Sequence, residues 1–190
     1  MVSDQAATTA ATVDEEEDLS ASGPIAQRIR AELAAHSPLS DAAFSVGATA
    51  DRGSGLFVAA KEGLAGGTYL FDYGGELLEQ NEYDERYPKP LPGQGGGGGG
   101  KSADYAVGIA RPDGSSVYVD AADPAASNLA RFMNHAEDGN GEPGSANCAA
   151  WTLWEPSPRV LLFAARDIEE GEELVWDYGE QYWEGRGDKV

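Results

Sequence analysis

Apolar positions recur along this chain in two textures. In Ile25–Ala35 (IAQRIRAELAA) they fall four residues apart, at Ile25, Ile29 and Leu33, which predicts a short amphipathic helix. Ser37-Pro38 stops it, because the residue before a proline is pushed out of helical geometry. From Phe44 onward the apolar runs shorten and glycines separate them. Leu56–Ala60, Thr68–Tyr73, Tyr105–Ala110, Val117–Asp120, Cys148–Trp154, Val160–Ala165 and Leu174–Trp176 are the predicted strands. Pro112-Asp113-Gly114 sets a tight turn between two of them, and Glu155-Pro156-Ser157-Pro158 separates another pair as a second hairpin. Two further stretches, Gln80–Arg86 and Ser127–Met133, read as helices. Between Pro88 and Lys101 the chain reads PKPLPGQGGGGGGK, with no core-forming side chain in Gly95–Gly100. It predicts a flexible surface insertion, whose span is about 5–6 Å times the square root of its length. The expected fold is β-rich (α+β): many short strands and few short helices.

One pattern occurs twice. Ala60–Gly74 reads AKEGLAGGTYLFDYG and Ala165–Gly179 reads ARDIEEGEELVWDYG. Aligned without a gap, Gly66 meets Gly171, Asp72 meets Asp177, Tyr73 meets Tyr178 and Gly74 meets Gly179. Short hairpins share such patterns by chance. The sharper reading is two β units that end in equivalent tyrosines.

Charge changes the picture. The 190 residues hold 33 acids and 13 bases, a formal charge of −20, and 41% are hydrophobic, enough for a packed core. Residues 1–22 carry six acids and no Lys or Arg, which predicts a disordered acidic tail. A flank over 23–43 and a folded domain over 44–184 follow, with 185–190 as a short end. The charge argues against a general grip on nucleic acid, which requires Lys and Arg to displace counterions. It suits a basic protein partner, or solubility alone. No run of 18 apolar residues appears, and the N-terminus lacks the basic start and apolar stretch of a secretory signal. The nucleus and the cytoplasm stay open as compartments. Cys148 is the one cysteine and His36 and His135 the two histidines, so neither a cysteine-based zinc cluster nor a His-rich metal centre is expected.

Four short segments could carry chemistry, and each has an ordinary structural reading. Arg52-Gly53-Ser54-Gly55-Leu56-Phe57 lets a ligand approach the backbone closely, or is a plain turn. It lacks the third glycine and the following helix of a dinucleotide site. Arg131-Phe132-Met133-Asn134-His135-Ala136 ends a short helix, with Asn134 as its terminator. Asp138-Gly139-Asn140-Gly141-Glu142 alternates acids like a calcium loop, but has Pro143 where the turn glycine belongs. Trp176-Asp177-Tyr178-Gly179-Glu180-Gln181-Tyr182-Trp183 is dense in aromatics, as a core-sealing terminal strand would be.

In their chain order these elements resemble the SET-domain family of protein lysine methyltransferases. The resemblance runs from about Phe44 to Trp183. It rests on GSGLF, FDYGGEL, VDAADPAASNLARFMNHA and PRVLLFAARDIEEGEELVWDYGEQYW, in that order. It implies a β-rich fold whose C-terminal segment threads past the Asn-His region in a pseudoknot, an arrangement that is otherwise rare. It also implies methyl transfer from S-adenosylmethionine to a lysine side chain of a basic protein, a histone by family analogy. By motif, Arg52, Gly53, Ser54, Gly55 and Leu56 line the cofactor's methionine end, and Asn134 and His135 hold its adenosine part through backbone groups. Tyr105 and Arg131 are further cofactor contacts. Tyr178 matches the catalytic tyrosine. Tyr73 matches a tyrosine that lines the lysine channel beside Trp176 and Tyr178. No metal is implied.

Three departures from the family pattern matter. Trp176 stands where Phe or Tyr is usual, which limits the product to low methylation if the ring faces the channel. Ala136 stands where Ser is common. The cysteine segments that close many family sites with zinc are absent, so the residues after Gly179, Tyr182 and Trp183 first, form the lid, or a partner completes it. A non-catalytic module that binds lysine-rich tails is the alternative reading.

Overall fold

The computed structural model describes residues 37–50, 52–88, 102–136, 146–154, 156–179 and 182. The expected acidic tail, the 25–35 helix, the glycine run, the 138–142 loop, Trp183 and residues 185–190 lie outside the described residues.

Among the described residues, three small sheets form the fold. A 3-10 turn at Asp41–Ala43 leads into β1 (Phe44–Ala48), which pairs antiparallel with β2 (Ser54–Val58). β4 (Glu76–Glu79), β6 (Ser116–Asp120) and β5 (Ala106–Ala110) form the second sheet in that spatial order. The third contains β3 (Tyr69–Asp72), β9 (Arg159–Ala164), β8 (Cys148–Leu153), β10 (Val175–Trp176) and β7 (Asn134–His135), again in spatial order. Both expected hairpins are present, β5–β6 around Pro112-Asp113-Gly114 and β8–β9 around Pro156-Ser157-Pro158. The one α-helix among the described residues, α1, spans Gln80–Arg86 as expected. The Glu79 N–H donates to Glu82 Oε2 at 2.8 Å, and Arg86 closes its last turn. Leu56, Leu70, Leu162, Leu174 and Val160 are fully buried at the centre of the main core.

The expected helix over Ser127–Met133 shrinks to a 3-10 turn at Leu129–Phe132. Asn128 caps it, its Oδ1 accepting from the Ala130 N–H. Met133 then turns to an extended backbone, and Asn134–His135, expected as a helix terminus, become strand β7. Sheet hydrogen bonds with β10 outcompete the last helical turn. β10 lies parallel to both β7 and β8 and between them, with Val175 opposite Asn134 and Trp176 opposite both His135 and Cys148. A C-terminal strand seated between two strands joined by an earlier loop is the strand order a SET-type pseudoknot requires. Buried Asn147 fastens it: Nδ2 donates to Glu173 O at 2.8 Å and Oδ1 accepts from the Val175 N–H at 2.9 Å.

The two similar segments meet in space. Leu64 and Ile168 exchange two backbone hydrogen bonds of 2.8 Å. The gap-free pairing of Gly66 with Gly171 is corrected by one residue at the turn. Gly67 (φ +85°) and Gly171 (φ +84°) are the equivalent left-handed glycines, where a Cβ would be strained. Their N–H groups donate to Ala164 O and Val58 O, at 2.7 and 2.8 Å. Each unit then carries its Asp-Tyr-Gly ending toward the same region.

Asp120 anchors the second sheet. Its side chain is fully buried and accepts from Tyr87 Oη (2.7 Å), Arg86 Nη1 (3.0 Å) and the Ala122 N–H (2.9 Å). Asp120→Ala would leave these donors short of an acceptor, at a cost of about 3 kcal/mol. Urea titration should show that loss; an unchanged midpoint would mean that water replaces the carboxylate.

Candidate active site

β2, β7 and β10 bring one set of residues together. Arg52 donates to His135 O (Nη1, 2.8 Å) and to Glu173 Oε2 (Nη2, 3.1 Å). Asn134 Nδ2 donates to Ser54 O at 3.0 Å and to Glu173 Oε1 at 2.7 Å. Glu173 therefore joins the Arg52–Ser54 segment to β7. Its position explains Gly55: a Cβ there would stand 2.6 Å from Glu173 Oε1 and 2.7 Å from Thr49 Cγ2. Only glycine lets the carboxylate lie this close to β2. Gly53, at φ +79°, has open space where a side chain would begin. Leu56 is fully buried in the main core, so it holds the cradle through its strand position.

A second set is aromatic. Tyr178 Oη donates to Met133 O at 2.7 Å, and the Tyr178 N–H donates to His135 Nδ1 at 3.2 Å. Its ring lies 5.3 Å from His135, 5.2 Å from Trp176 and 4.7 Å from Tyr182. Trp176 lies 6.1 Å from Tyr73. Tyr73 Oη donates to Tyr105 O at 3.1 Å. Trp176 is buried, and its Nε1–H is a buried donor with no acceptor among the described residues. Burial, the largest cause in each case, raises the hydroxyl pKa values of Tyr73 and Tyr178 well above the ordinary tyrosine value, so both stay protonated. Burial likewise pushes the Cys148 thiol up to about 12, which makes it an inert core residue.

His135 and Tyr178 link the two sets. Tyr105 and Arg131 adjoin Tyr73. The Arg131 guanidinium lies 4.8 Å from the Tyr105 ring centroid, and Nε donates to Ala121 O at 3.2 Å. Two contributors were not anticipated. Asn147 shows in the sequence only as a polar residue at the start of an apolar run. Glu173 is one of several acids in the run Glu169-Glu170-Gly171-Glu172-Glu173, which reads as a solvated turn. Its neighbours Glu169 and Glu170 are exposed, and Glu172 instead pairs with Arg166 at 2.9 Å. Among the described residues there is no group of three or more His, Cys, Asp or Glu side chains that could hold a metal ion.

Three small sheets with a C-terminal strand set beside an Asn-His strand, and a tyrosine returning over it, define a class of protein. A SET-domain family model matches residues 55–179. The chain belongs to the SET-domain family. It is 31% identical over 136 residues to human histone-lysine N-methyltransferase EHMT1, covering 72% of this chain and 9% of that protein. It is 29% identical over 143 residues to the probable histone-lysine N-methyltransferase set-23 of Caenorhabditis elegans, covering 75% and 53%. It is also 29% identical over 129 residues to the N-lysine methyltransferase KMT5A-A of Danio rerio, covering 68% and 33%. The chain thus spans about half or less of each of these relatives.

Proposed function

We propose that this protein transfers a methyl group from S-adenosylmethionine to the ε-amine of a lysine in a basic protein, a histone being the first candidate. The observation that carries the reading is the placement of Tyr178: its hydroxyl is held on Met133 O, its N–H on His135, and its ring beside Trp176.

The residues present fit the cofactor. Open space at Gly53 and the unpartnered indole N–H of Trp176 leave room and a donor around a ligand. Arg52, Gly53, Ser54 and Gly55 would hold its methionine end, and Asn134 and His135 its adenosine part, with Tyr105 and Arg131 at the margin. Bound there, it supplies an already activated methyl group. The protein's part is to position a neutral amine in line with it. Free lysine has a pKa near 10.4. Walls built from Tyr73, Trp176 and Tyr178 disfavour the ammonium form by desolvation. The Tyr178 hydroxyl, kept protonated, donates its hydrogen to Met133 O, which leaves its oxygen lone pairs to accept weak C–H···O contacts. Tyr182, 4.7 Å from Tyr178, is the first lid residue. A partner protein that completes the lid belongs to the same reading. The −20 charge draws a lysine-rich tail toward the enzyme.

Incubation with tritiated S-adenosylmethionine and histones or a lysine-peptide array tests this. Transfer of label to lysine is expected. Cofactor binding without transfer would favour a non-catalytic module for basic tails instead. Trp176 packs against both tyrosines and is bulkier than Phe or Tyr, so if its ring faces the lysine channel rather than the core, the product should be limited to low methylation and Trp176→Phe should raise the higher methylated fraction. Mass spectrometry that finds trimethyl-lysine as the main wild-type product would contradict the role given to Trp176.

A further inference from the structure

Six arginines fall among the described residues: Arg52, Arg86, Arg111, Arg131, Arg159 and Arg166. Five of them pair with a carboxylate there, and Arg131 does not. In a chain with 33 acids and 13 bases that exception stands out. Carbonyls and rings hold the Arg131 guanidinium instead. Nε donates to Ala121 O at 3.2 Å and Nη2 to Ala122 O at 3.5 Å. Its centre lies 4.8 Å from the Tyr105 ring centroid and 5.3 Å from that of Phe132. The acids next in sequence to these partners are engaged elsewhere: Asp104 accepts from Ser102 Oγ, and Asp123 from the Ala125 N–H. Neutral carbonyls and aromatic faces orient a guanidinium but leave its unit charge in place.

That charge stands behind the aromatic set. Tyr105 O accepts from both the Ala121 N–H (3.0 Å) and Tyr73 Oη (3.1 Å). The two residues that grip Arg131 therefore also hold the Tyr73 hydroxyl. Burial raises the Tyr73 pKa most, Tyr178, Asp120 and Tyr105 act in the same direction, and Arg131 draws it down. The other charges are compensated or solvated. Asp120 pairs with Arg86, and Arg52 with Glu173. His135 Nδ1 accepts from the Tyr178 N–H, and Asp177 beside it is exposed. Tyr73, Tyr105, Tyr178 and Tyr182 carry no charge while protonated.

We propose that Arg131 is a fixed positive charge behind the lysine channel, one that disfavours the ammonium form of the substrate lysine and so raises the fraction of neutral amine. The inference rests on the reading of Tyr73 as a wall of that channel. A like charge disfavours ionisation of its neighbour, and a desolvated wall screens the effect less than water does. This role differs from the cofactor contact that the family resemblance implies for Arg131.

A histone-tail peptide with its lysines labelled at Cε with 13C tests it. Bound together with S-adenosylhomocysteine, the peptide cannot be methylated, and NMR follows protonation of the bound amine. In Arg131→Gln, or in Arg131→Met, that amine should titrate at a pH higher by about 0.5–1 than in wild type. The rising limb of the pH–rate profile should move with it. Arg131→Lys keeps the charge and should titrate close to wild type, even if its rate falls. Arg111→Gln removes the same charge about 20 Å along the chain from Tyr105, past the far end of β5, and should change nothing. Affinity for S-adenosylhomocysteine should stay within a few-fold throughout. Equal titration in wild type and Arg131→Gln would overturn the proposal. So would an equal shift in Arg131→Lys and Arg131→Gln, which marks a structural role. Loss of S-adenosylhomocysteine affinity with an unchanged titration would return Arg131 to the cofactor. A wild-type protein that neither transfers label nor binds the peptide would remove the channel reading first, and this proposal with it.

Discussion

Tyr178→Phe should cut the rate of methyl transfer at least about 100-fold and leave cofactor affinity within a few-fold of wild type. The substitution removes one oxygen, the one that donates to Met133 O at 2.7 Å. The phenyl ring keeps its place against His135, Trp176 and Tyr182, so the cradle around Arg52 and Asn134 stays intact. Stability should fall by no more than about 1–3 kcal/mol, from the carbonyl left without its donor. Single-turnover rates and calorimetric binding of S-adenosylhomocysteine separate the two effects. A variant as fast as wild type would remove Tyr178 from the chemistry.

The same hydroxyl sets an expectation for pH. Burial raises the Tyr178 pKa, so the folded protein keeps the proton at pH values where the unfolded chain has lost it. Its contribution to stability is complete below about pH 10, the ordinary tyrosine value, and declines as pH rises beyond it. The transfer rate should therefore climb with pH as the substrate amine deprotonates, without a downturn from Tyr178 below about pH 10. A pH–rate profile that falls in the range of about 7–9 while the protein stays folded would contradict this.

Glu173→Ala should weaken cofactor binding at least about tenfold while leaving kcat at saturating cofactor within a few-fold. The carboxylate accepts from both Arg52 and Asn134, and hydrogen bonds to a charged group contribute about 1.5–3 kcal/mol each. Without it, the Arg52–Gly55 segment and β7 lose their common anchor. The backbone of Glu173 stays in place, because Asn147 Nδ2 holds its carbonyl. Glu173→Gln keeps one acceptor and should fall between the two. Gly55→Ala should resemble Glu173→Ala, since its Cβ would displace the carboxylate. This pattern, a KM change for cofactor with little change in kcat, marks a positioning residue; parallel loss of both would point to a general structural defect.

Seven of the ten strands among the described residues, both hairpins and α1 were legible because each depends on neighbours in sequence; β1, β4 and β7 were not among the expected strands. Alternating or continuous apolar runs and turn residues such as Pro112-Asp113-Gly114 act within a few positions. The order of motifs likewise pointed to the family, and to Tyr178, Asn134 and His135 as a group. Ser127–Met133 misled for the opposite reason. Its local preference is helical, but β10, some 40 residues later, captures Asn134 and His135 into a sheet. Glu173 and Asn147 were illegible on similar grounds. An acid among acids and an amide at a strand end have no local signature, and their partners at Arg52, Asn134 and Val175 come from distant segments.

Local preference and spacing were enough to predict most of the strands, because covalent neighbours set φ/ψ preferences and side-chain period; the candidate site residues came from the order of the motifs, through the family resemblance. Where β10 sits, that Glu173 spans Arg52 and Asn134, and that Trp176 packs against both Tyr73 and Tyr178 emerged only in the folded chain. Those contacts join residues separated by tens of positions. Their energies come from burial and pairing that exist only once the sheets have closed on one another.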